Sequence, residues 1–255
     1  VHGHHGMPFM RTLNSTSIPI LTYHQIADAP PKGTSHRSLV VAPEDFSRQM
    51  AMLALLGYRG LSMTDLQPYL RGERVGKVVG ITLDDGYLNN LTHAAPVLQR
   101  HGFSATCYVV SQLIGKSNIW DRESGIPESA LMNAVQLKQW IAHGHEVGAH
   151  TRHHTHLLQL NAEKAREEIV RCKTDLEELL GRPVQHFCYP YGEYAPEHVS
   201  MVRKAGYMTA TTTQRSRCQP QEDWMQLPRV PVARRTTRLT LWLKLTTGYE
   251  DRRRA

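Results

Sequence analysis

The sequence contains little cysteine and no long apolar run. Only four cysteines occur in 255 residues, and no two of them have CxxC spacing. This pattern argues against a disulfide framework and against a thiolate zinc site, so buried free thiols are expected. No apolar run reaches the roughly 18 to 20 residues that a membrane-spanning helix needs. No nucleic-acid-binding motif is present either, so nucleic acid is not an expected partner.

Acidic residues are outnumbered by basic ones, which gives a formal net charge of +7. Part of this charge lies in residues 233–255, interpreted as a C-terminal helix and a basic tail. The tail could contact an anionic surface, although a solvated chain end is the simpler interpretation. Residues 1–17 read as a leader that is partly vector-derived. A native start would predict a cytoplasmic or inner-membrane-associated protein, and a removed leader would predict a periplasmic or secreted one.

Strand-like apolar runs alternate with helix-like periodic segments along residues 18–232. Strands are predicted at 18–26, 77–83, 105–110, 146–150, 186–191 and 207–213. Helices are predicted at 43–57, 90–102, 135–144, 161–180, 196–205 and, beyond this range, 239–245. Repeated βα units imply parallel strands joined by right-handed crossovers. About seven or eight such units predict a single α/β domain built on a closed barrel.

Polar residues follow several of these strands, at the end where barrel enzymes place their chemistry. Asp84 and Asp85 end one apolar run, and two adjacent carboxylates in a buried strand need a cation to offset repulsion and desolvation. His150 and His154 have i, i+4 spacing, which on a helical turn would let both imidazoles share a divalent cation. Taken alone, such a histidine pair more often lies on the surface. One carboxylate with two imidazoles would leave positions open for water and substrate.

These motifs together resemble the polysaccharide deacetylases of carbohydrate esterase family four. The family motif T-F-D-D-G appears as TLDDG at 82–86, and H-[S/T]-x-x-H appears as HTRHH at 150–154. The resemblance covers residues 18–232. It implies a distorted (β/α)₇ barrel that uses one divalent metal to remove N-acetyl groups from a sugar polymer or oligomer. By position, it implies that Asp84 is the general base and that three residues hold the metal: Asp85, His150 and His154. Zinc suits these ligands best, and nickel or cobalt would also fit.

Two family motifs are incomplete in this sequence. The R-x-P-Y motif reads CYPY at 188–191, so its arginine is missing, and Arg229 is a candidate replacement. Pro190 and Tyr191 are retained, and we expect them to contact substrate, with the Tyr191 backbone amide donating to the oxyanion. The late histidine that serves the family as general acid is absent, because no histidine follows His198.

This pattern is similar to the branch that deacetylates poly-N-acetylglucosamine, where the motifs are circularly permuted. In that branch the acid histidine comes from the first strand, which implies His24 here. We expect His24 across the metal site from Asp84, with Asp223 as the carboxylate that keeps it protonated. Asp223 and Trp224 are what remains of the fourth motif. A histidine that merely packs at a strand end is the alternative for His24.

Two other functions remain open from the sequence. One is a deacetylase or deformylase acting on a small or lipid-linked sugar. The other is a non-catalytic carbohydrate-binding barrel, against which the second carboxylate of the D-D-G motif argues, because a binding protein has no use for it.

Overall fold

The computed structural model describes residues 16–254, so almost all of the predicted leader, 1–17, lies outside the described residues. The strands are β1 (Ile20–Tyr23), β2 (Gln25–Ile26), β3 (Val40–Val41), β4 (Arg59–Leu61), β5 (Val78–Asp85), β6 (Thr106–Val109), β7 (Glu146–Ala149), β8 (His186–Cys188), β9 (Thr209–Arg215) and β10 (Leu227–Pro231). The α-helices are α1 (Pro43–Leu55), α2 (Met63–Leu70), α3 (Ala95–Arg100), α4 (Ala134–Ala142), α5 (Ala162–Leu180), α6 (Pro196–Lys204) and α7 (Arg238–Thr246).

Seven parallel strands close into a barrel. Their hydrogen-bonded order is β1, β10, β9, β8, β7, β6 and β5, and β5 pairs again with β1 to complete the ring. Strand β4 adds to the N-terminal part of β5. Helices surround the ring. The single α/β domain with a distorted (β/α)₇ barrel is therefore confirmed.

Strand β5 ends at the two carboxylates Asp84 and Asp85, and all eight of its residues are buried. This is expected for a parallel strand that is covered on both faces. Gly80 lies where the strand passes its neighbours closely, because a Cβ there would come 3.0 Å from Leu66 and 3.1 Å from Ile20. The strand extends past the apolar run to Asp85, so both carboxylates are held by sheet hydrogen bonding.

The longest helix, α5, begins and ends where its sequence predicts. The side chain of Asn161 accepts a hydrogen bond from the Lys164 amide and so caps the first turn. Gly181 ends the helix with φ of 65°, a left-handed conformation that glycine adopts without steric cost.

Three predicted elements near the site differ from the structure. The strand 18–26 breaks at His24, which separates β1 from β2. Residues 150–154 form a loop and not a helical turn, since Thr151 and His154 have φ of 64° and 56°. The i, i+4 spacing indicates a shared face only where the backbone is helical. The predicted strand 186–191 also ends early, at Cys188.

Four labelled elements have no counterpart in the prediction: the two-residue strand β3, strand β4, helix α2 and strand β10. Strand β10 contains Pro228 and Pro231, and proline ordinarily argues against a strand inside a sheet. Strand β4 has only three residues, and helix α2 contains Pro68 in its interior. The local sequence therefore gave little support for β4, α2 and β10, and these elements form because they pack against the barrel.

The C-terminal segment is packed against the domain up to residue 254. Helix α7 packs on α1. Glu250 is buried and forms ion pairs with Arg215 at 2.8 Å and Lys244 at 3.0 Å. Arg254 pairs with Glu222 at 2.5 Å. The segment is thus docked on the domain, while Arg252, Arg253 and Arg254 at its end are exposed to solvent.

All four cysteines are buried and free, as predicted. Among residues 16–254, no helix combines the length and the apolar character needed to cross a membrane.

Candidate active site

A cavity of about 500 Å³ opens at the C-terminal ends of the barrel strands. Residues from four of these ends line it: His24, Asp84, Asp85, His150 and Tyr191. They are far apart in the sequence, but the C-terminal ends of parallel strands share one rim of the barrel.

Three side chains converge on one point of this cavity. Oδ1 of Asp85 lies 3.2 Å from Nε2 of His150 and 3.3 Å from Nε2 of His154. All three residues are buried. Asp85 reaches the point because its backbone is left-handed, with φ of 85°, at the end of β5.

The loop that presents the two histidines is held by α5. The buried Glu168 carboxylate accepts the backbone N–H groups of Arg152 at 2.8 Å and His153 at 3.0 Å. The Cys172 thiol on the same helix donates to the Thr151 carbonyl at 3.1 Å. These contacts stabilise the irregular backbone that brings His154 beside His150.

The orientation of His150 favours a cation at the convergence point. Its Nδ1 donates to the Cys188 carbonyl at 2.8 Å, so a neutral ring directs its Nε2 lone pair at the Asp85 carboxylate. Two acceptors 3.2 Å apart need either a proton on Nε2 or a cation held between them, and a bound cation would take the place of that proton. Burial alone would raise the pKa of Asp85, yet its contacts with His150 and His154 hold that pKa well below its usual value.

The donor set of one carboxylate and two imidazoles is typical of catalytic zinc sites, which keep a position open for water or substrate. These residues therefore fit a divalent metal. A second group, Asp84 with His150 and Cys188, is also close enough to hold an ion. It fits less well, because the Asp84 carboxylate already has an arginine as its counterion.

That arginine is Arg229 from β10, a fully buried side chain. It binds Asp84 through two parallel hydrogen bonds, of 2.7 Å to Oδ1 and 2.8 Å to Oδ2. Its remaining donors reach the Thr212 carbonyl at 2.8 Å and the Thr82 hydroxyl at 3.1 Å. Burial acts to raise the pKa of Asp84, but the guanidinium outweighs it and lowers the pKa below the usual value.

Cys188 occupies the position of the missing motif arginine. Its thiol lies 3.7 Å from Oδ2 of Asp84 and 3.3 Å from the Arg229 guanidinium. Arg229, from β10, therefore contacts Asp84, the carboxylate that lies next to the position where the motif has its arginine on β8. The only sequence feature that indicates a place for Cys188 in the site is its alignment with the arginine of the R-x-P-Y motif.

His24 lies directly beside Asp84, with Nε2 3.8 Å from Oδ2, and not across the site from it. Its predicted carboxylate partner is also wrong. Asp223 forms an ion pair with Arg203 at 2.9 Å, in the segment before β10. Trp224 follows it there and packs against Arg71. Neither Asp223 nor Trp224 lines the cavity.

Tyr191 forms part of the cavity wall, with 38% of its surface exposed. Its backbone is left-handed, with φ of 59°, and no acceptor for its N–H occurs among residues 16–254. The ring stacks on His156 at a centroid distance of 3.9 Å. Pro190 is buried and does not line the cavity, so it contributes to the turn and not to a surface for substrate.

An aromatic wall surrounds the convergence point. Trp120 stacks on His154 at a centroid distance of 4.3 Å, and Tyr191 meets the same ring edge-on at 4.6 Å. Trp120 lies in a connection without a motif, so the sequence favoured no more than a place in the core or in the wall of a groove, and the structure places it in the cavity wall. Other histidines of the chain have different partners: His153 pairs with Glu168 and His186 packs among threonines at the opposite end of the barrel.

Comparison with known proteins agrees with this geometry. The family model described as polysaccharide deacetylase matches residues 71–210, more than half of the chain. YxkH of Bacillus subtilis (strain 168), provisionally named as a polysaccharide deacetylase, is 27% identical over 227 residues, which cover 88% of this chain and 75% of YxkH.

Solved structures show the same fold. The polysaccharide deacetylase BC0361 from Bacillus cereus has a TM-score of 0.76 and 27% identity, over 91% of this chain and 69% of that one. IcaB from Ammonifex degensii has a TM-score of 0.76 at 24% identity, over 89% of this chain and 97% of that one. The Streptococcus pyogenes deacetylase PplD has a TM-score of 0.79 at 24% identity, over 90% of this chain and 98% of that one.

Substitution of each converging residue tests the metal assignment. We expect Asp85→Ala, His150→Ala and His154→Ala each to lose bound zinc after dialysis, because each removes one of three donors. The loss in affinity should exceed the roughly 10- to 100-fold typical of a lost supporting contact. Elemental analysis measures it. His153→Ala is the matched control, since that histidine pairs with Glu168. Full metal content in any of the three variants would remove that residue from the ligand set.

The buried Arg229–Asp84 pair should contribute more to the free energy of unfolding than an exposed ion pair does. Arg229→Gln leaves a buried carboxylate without its counterion, so the free energy of unfolding should fall by about 3–5 kcal/mol. Urea denaturation measures the change. Arg203→Gln breaks the exposed pair with Asp223 and should cost at most about 1 kcal/mol. Equal, small losses in the two variants would contradict the importance of the buried pair.

Proposed function

This chain belongs to the polysaccharide deacetylase family, and on that premise we propose that it is a metal-dependent hydrolase that removes N-acetyl groups from an amino-sugar polymer or oligomer. One observation supports this most directly. A three-donor cluster suited to a divalent metal lies in the same cavity as a buried carboxylate that an arginine keeps ionised. A carboxylate beside that cluster can take up the proton of an attacking water, a step that a carbohydrate-binding protein without activity does not require.

Asp85, His150 and His154 would hold the metal, with zinc favoured and nickel or cobalt also compatible. When bound, the cation supplies Lewis-acid polarisation of the acetamide carbonyl. Because the Cys188 carbonyl fixes Nδ1 of His150 as the protonated nitrogen, Nε2 is free to act as a ligand.

Asp84 is the general base in this proposal. The Arg229 guanidinium holds it ionised, and its two hydrogen bonds use only part of the roughly four lone-pair positions of a carboxylate. Asp84 can therefore still accept the proton of the attacking water. Removing this proton as the water attacks is the step that requires a positioned base.

The tetrahedral oxyanion needs a donor that is already oriented. The N–H of Tyr191 is suited to this role, because it lies at the cavity wall and lacks an acceptor among the described residues. The left-handed backbone at Tyr191 orients this group, and the stacked His156 ring supports the side chain.

His24 is the proton donor for the leaving amine. Its imidazole is partly exposed to the cavity and lies 3.8 Å from Asp84, so a substrate at the metal would contact both groups. The ionised Asp84 carboxylate, and not Asp223, is the negative charge beside it. An amine is expelled much more readily when it is protonated as the bond breaks.

The cavity is large enough for sugar residues, since about 500 Å³ falls within the roughly 300–1,000 Å³ typical of ligand sites. The faces of Trp120 and Tyr191 provide apolar surface next to the converging donors. Sugar rings pack well on such surfaces because their C–H faces are apolar.

Acetate release from N-acetylglucosamine oligomers tests the function. We expect activity in the zinc-loaded protein, its loss with a chelator and its return with added zinc. Asp84→Asn should keep the metal and lose turnover by roughly 10²- to 10⁴-fold, because a base has been removed and not a ligand. Asp28→Asn, at an exposed cavity-lining carboxylate, is the control and should remain active. Wild-type turnover in Asp84→Asn would refute the base assignment, and activity confined to lipid-linked sugars would refute the polymer substrate.

A separate measurement tests His24. His24→Ala should bind metal normally and lose turnover on acetylated amino sugars by roughly 10²- to 10⁴-fold if acid catalysis is lost. An aryl acetamide has a better leaving group and should be affected less. Equal losses on both substrate types would show that His24 positions the substrate and does not donate the proton.

A further inference from the structure

The outer faces of α1 and α7 form an apolar groove of about 430 Å³ that shares no lining residue with the cavity. We call it the α1/α7 groove, and its walls include Met52, Leu55, Leu56, Arg238, Leu239 and Trp242. Leu55 is 88% exposed, Leu239 67% and Trp242 41%. Three large apolar side chains on neighbouring helices are thus open to water together.

The fold does not need these exposed side chains. Helix α7 attaches to the domain through Leu241 and Leu245, which are buried on its opposite face. Leu239 and Trp242, at i, i+3 spacing, share the outward face. Contiguous exposed apolar surface on a folded domain marks an interaction site more often than isolated apolar residues do.

Arginines surround one end of the groove. Arg48 and Arg238 line it, and Arg235 lies beside it in a connected depression. Arg235 and Arg238 are exposed, and neither has an ion-pair partner within residues 16–254. Arg48 has only an exposed contact of 3.4 Å with Asp45. The groove therefore combines leucine, tryptophan and uncompensated positive charge.

We propose that the α1/α7 groove docks on an anionic lipid bilayer. Tryptophan and leucine on a helix face enter the boundary between headgroups and acyl chains, while arginines on the rim bind anionic headgroups. Each arginine near such a surface contributes about 1 kcal/mol, or roughly fivefold in binding. This mode is peripheral and requires no spanning helix.

Charge disfavours two other occupants. A second copy of the chain placed symmetrically on the groove would bring the same arginine-rimmed surface against itself, and like charges would repel. Residues 1–15 contain arginine and histidine but no aspartate or glutamate, so they offer no complementary charge.

The groove also has a defined relation to the cavity. Arg234, which precedes α7, donates its backbone N–H to the Ser38 carbonyl at 2.7 Å, and its side chain contacts the Val40 carbonyl at 3.4 Å. Leu39 and Val40 line the cavity. The arginine end of the groove is thus next to the cavity wall, so a docked protein would hold its active site close to the membrane surface.

Vesicle co-sedimentation of the full chain tests the proposal. We expect binding to vesicles of phosphatidylglycerol mixed with phosphatidylcholine, little binding to phosphatidylcholine alone, and release by high salt. Arg235→Gln with Arg238→Gln should weaken binding roughly 30-fold. Leu239→Ser with Trp242→Ser should weaken it at least tenfold. None of these changes should alter turnover on a soluble oligomer.

The controls carry matched changes elsewhere. Arg166→Gln with Arg182→Gln removes two exposed arginines, and Val75→Ser removes an apolar side chain that is 83% exposed. Both should bind like the wild type. Absence of wild-type binding to anionic vesicles, or equal weakening by control and groove variants, would overturn the proposal. Self-association that is lost in the Leu239 and Trp242 variant would overturn it in favour of a second copy.

Discussion

The geometry of the catalytic end depends on the buried ion pair between Asp84 and Arg229. Removing two charges from water costs several kcal/mol each, and only good geometry with additional hydrogen bonds offsets this cost. Here the bidentate contact, the Thr212 carbonyl and the Thr82 hydroxyl provide both. Because Arg229 comes from β10 and Asp84 from β5, with β1 between them in the ring, the pair also fixes how the barrel closes.

Backbone strain is concentrated around the same cavity. Five non-glycine residues among residues 16–254 have positive φ. Four of them line the cavity, and the fifth lies between the two converging histidines: His36, Asp85, His154, Tyr191 and Thr151. Such conformations cost of the order of 1–3 kcal/mol each and persist only where the surroundings enforce them. For Thr151 and His154, the contacts of α5 with the histidine loop, through Glu168 and Cys172, provide that enforcement.

Charge has opposite uses inside and outside the barrel. Inside, Asp84 is paired with the Arg229 guanidinium, and Asp85 lies beside two imidazoles that can share a cation with it. The two carboxylates of the D-D-G motif, which would repel each other in isolation, are therefore tolerated. Outside, Arg235 and Arg238 at the α1/α7 groove lack ion-pair partners among the described residues and are available to an anionic surface. The two regions meet through Arg234, whose contacts with Ser38 and Val40 join the rim of the groove to the cavity wall.

The sequence by itself determined the fold class and the main chemical groups. Alternating strand and helix patterns predicted the barrel, and Asp84, Asp85, His150 and His154 followed from motifs that the structure brings into one cavity. The capping residues Asn161 and Gly181 were also sufficient to predict where α5 begins and ends. These features are readable because they depend on periodicity and on residues adjacent in the chain.

Only the tertiary structure decided which distant groups meet. It placed Arg229 on Asp84, put His24 beside that carboxylate and assigned Asp223 to Arg203. It also replaced the predicted helical turn of the histidines with a loop held by α5. Contacts between side chains from different strands depend on barrel order and register, which no local pattern encodes. Sequence spacing could therefore name the donors and acceptors, but closure of the barrel selected their partners.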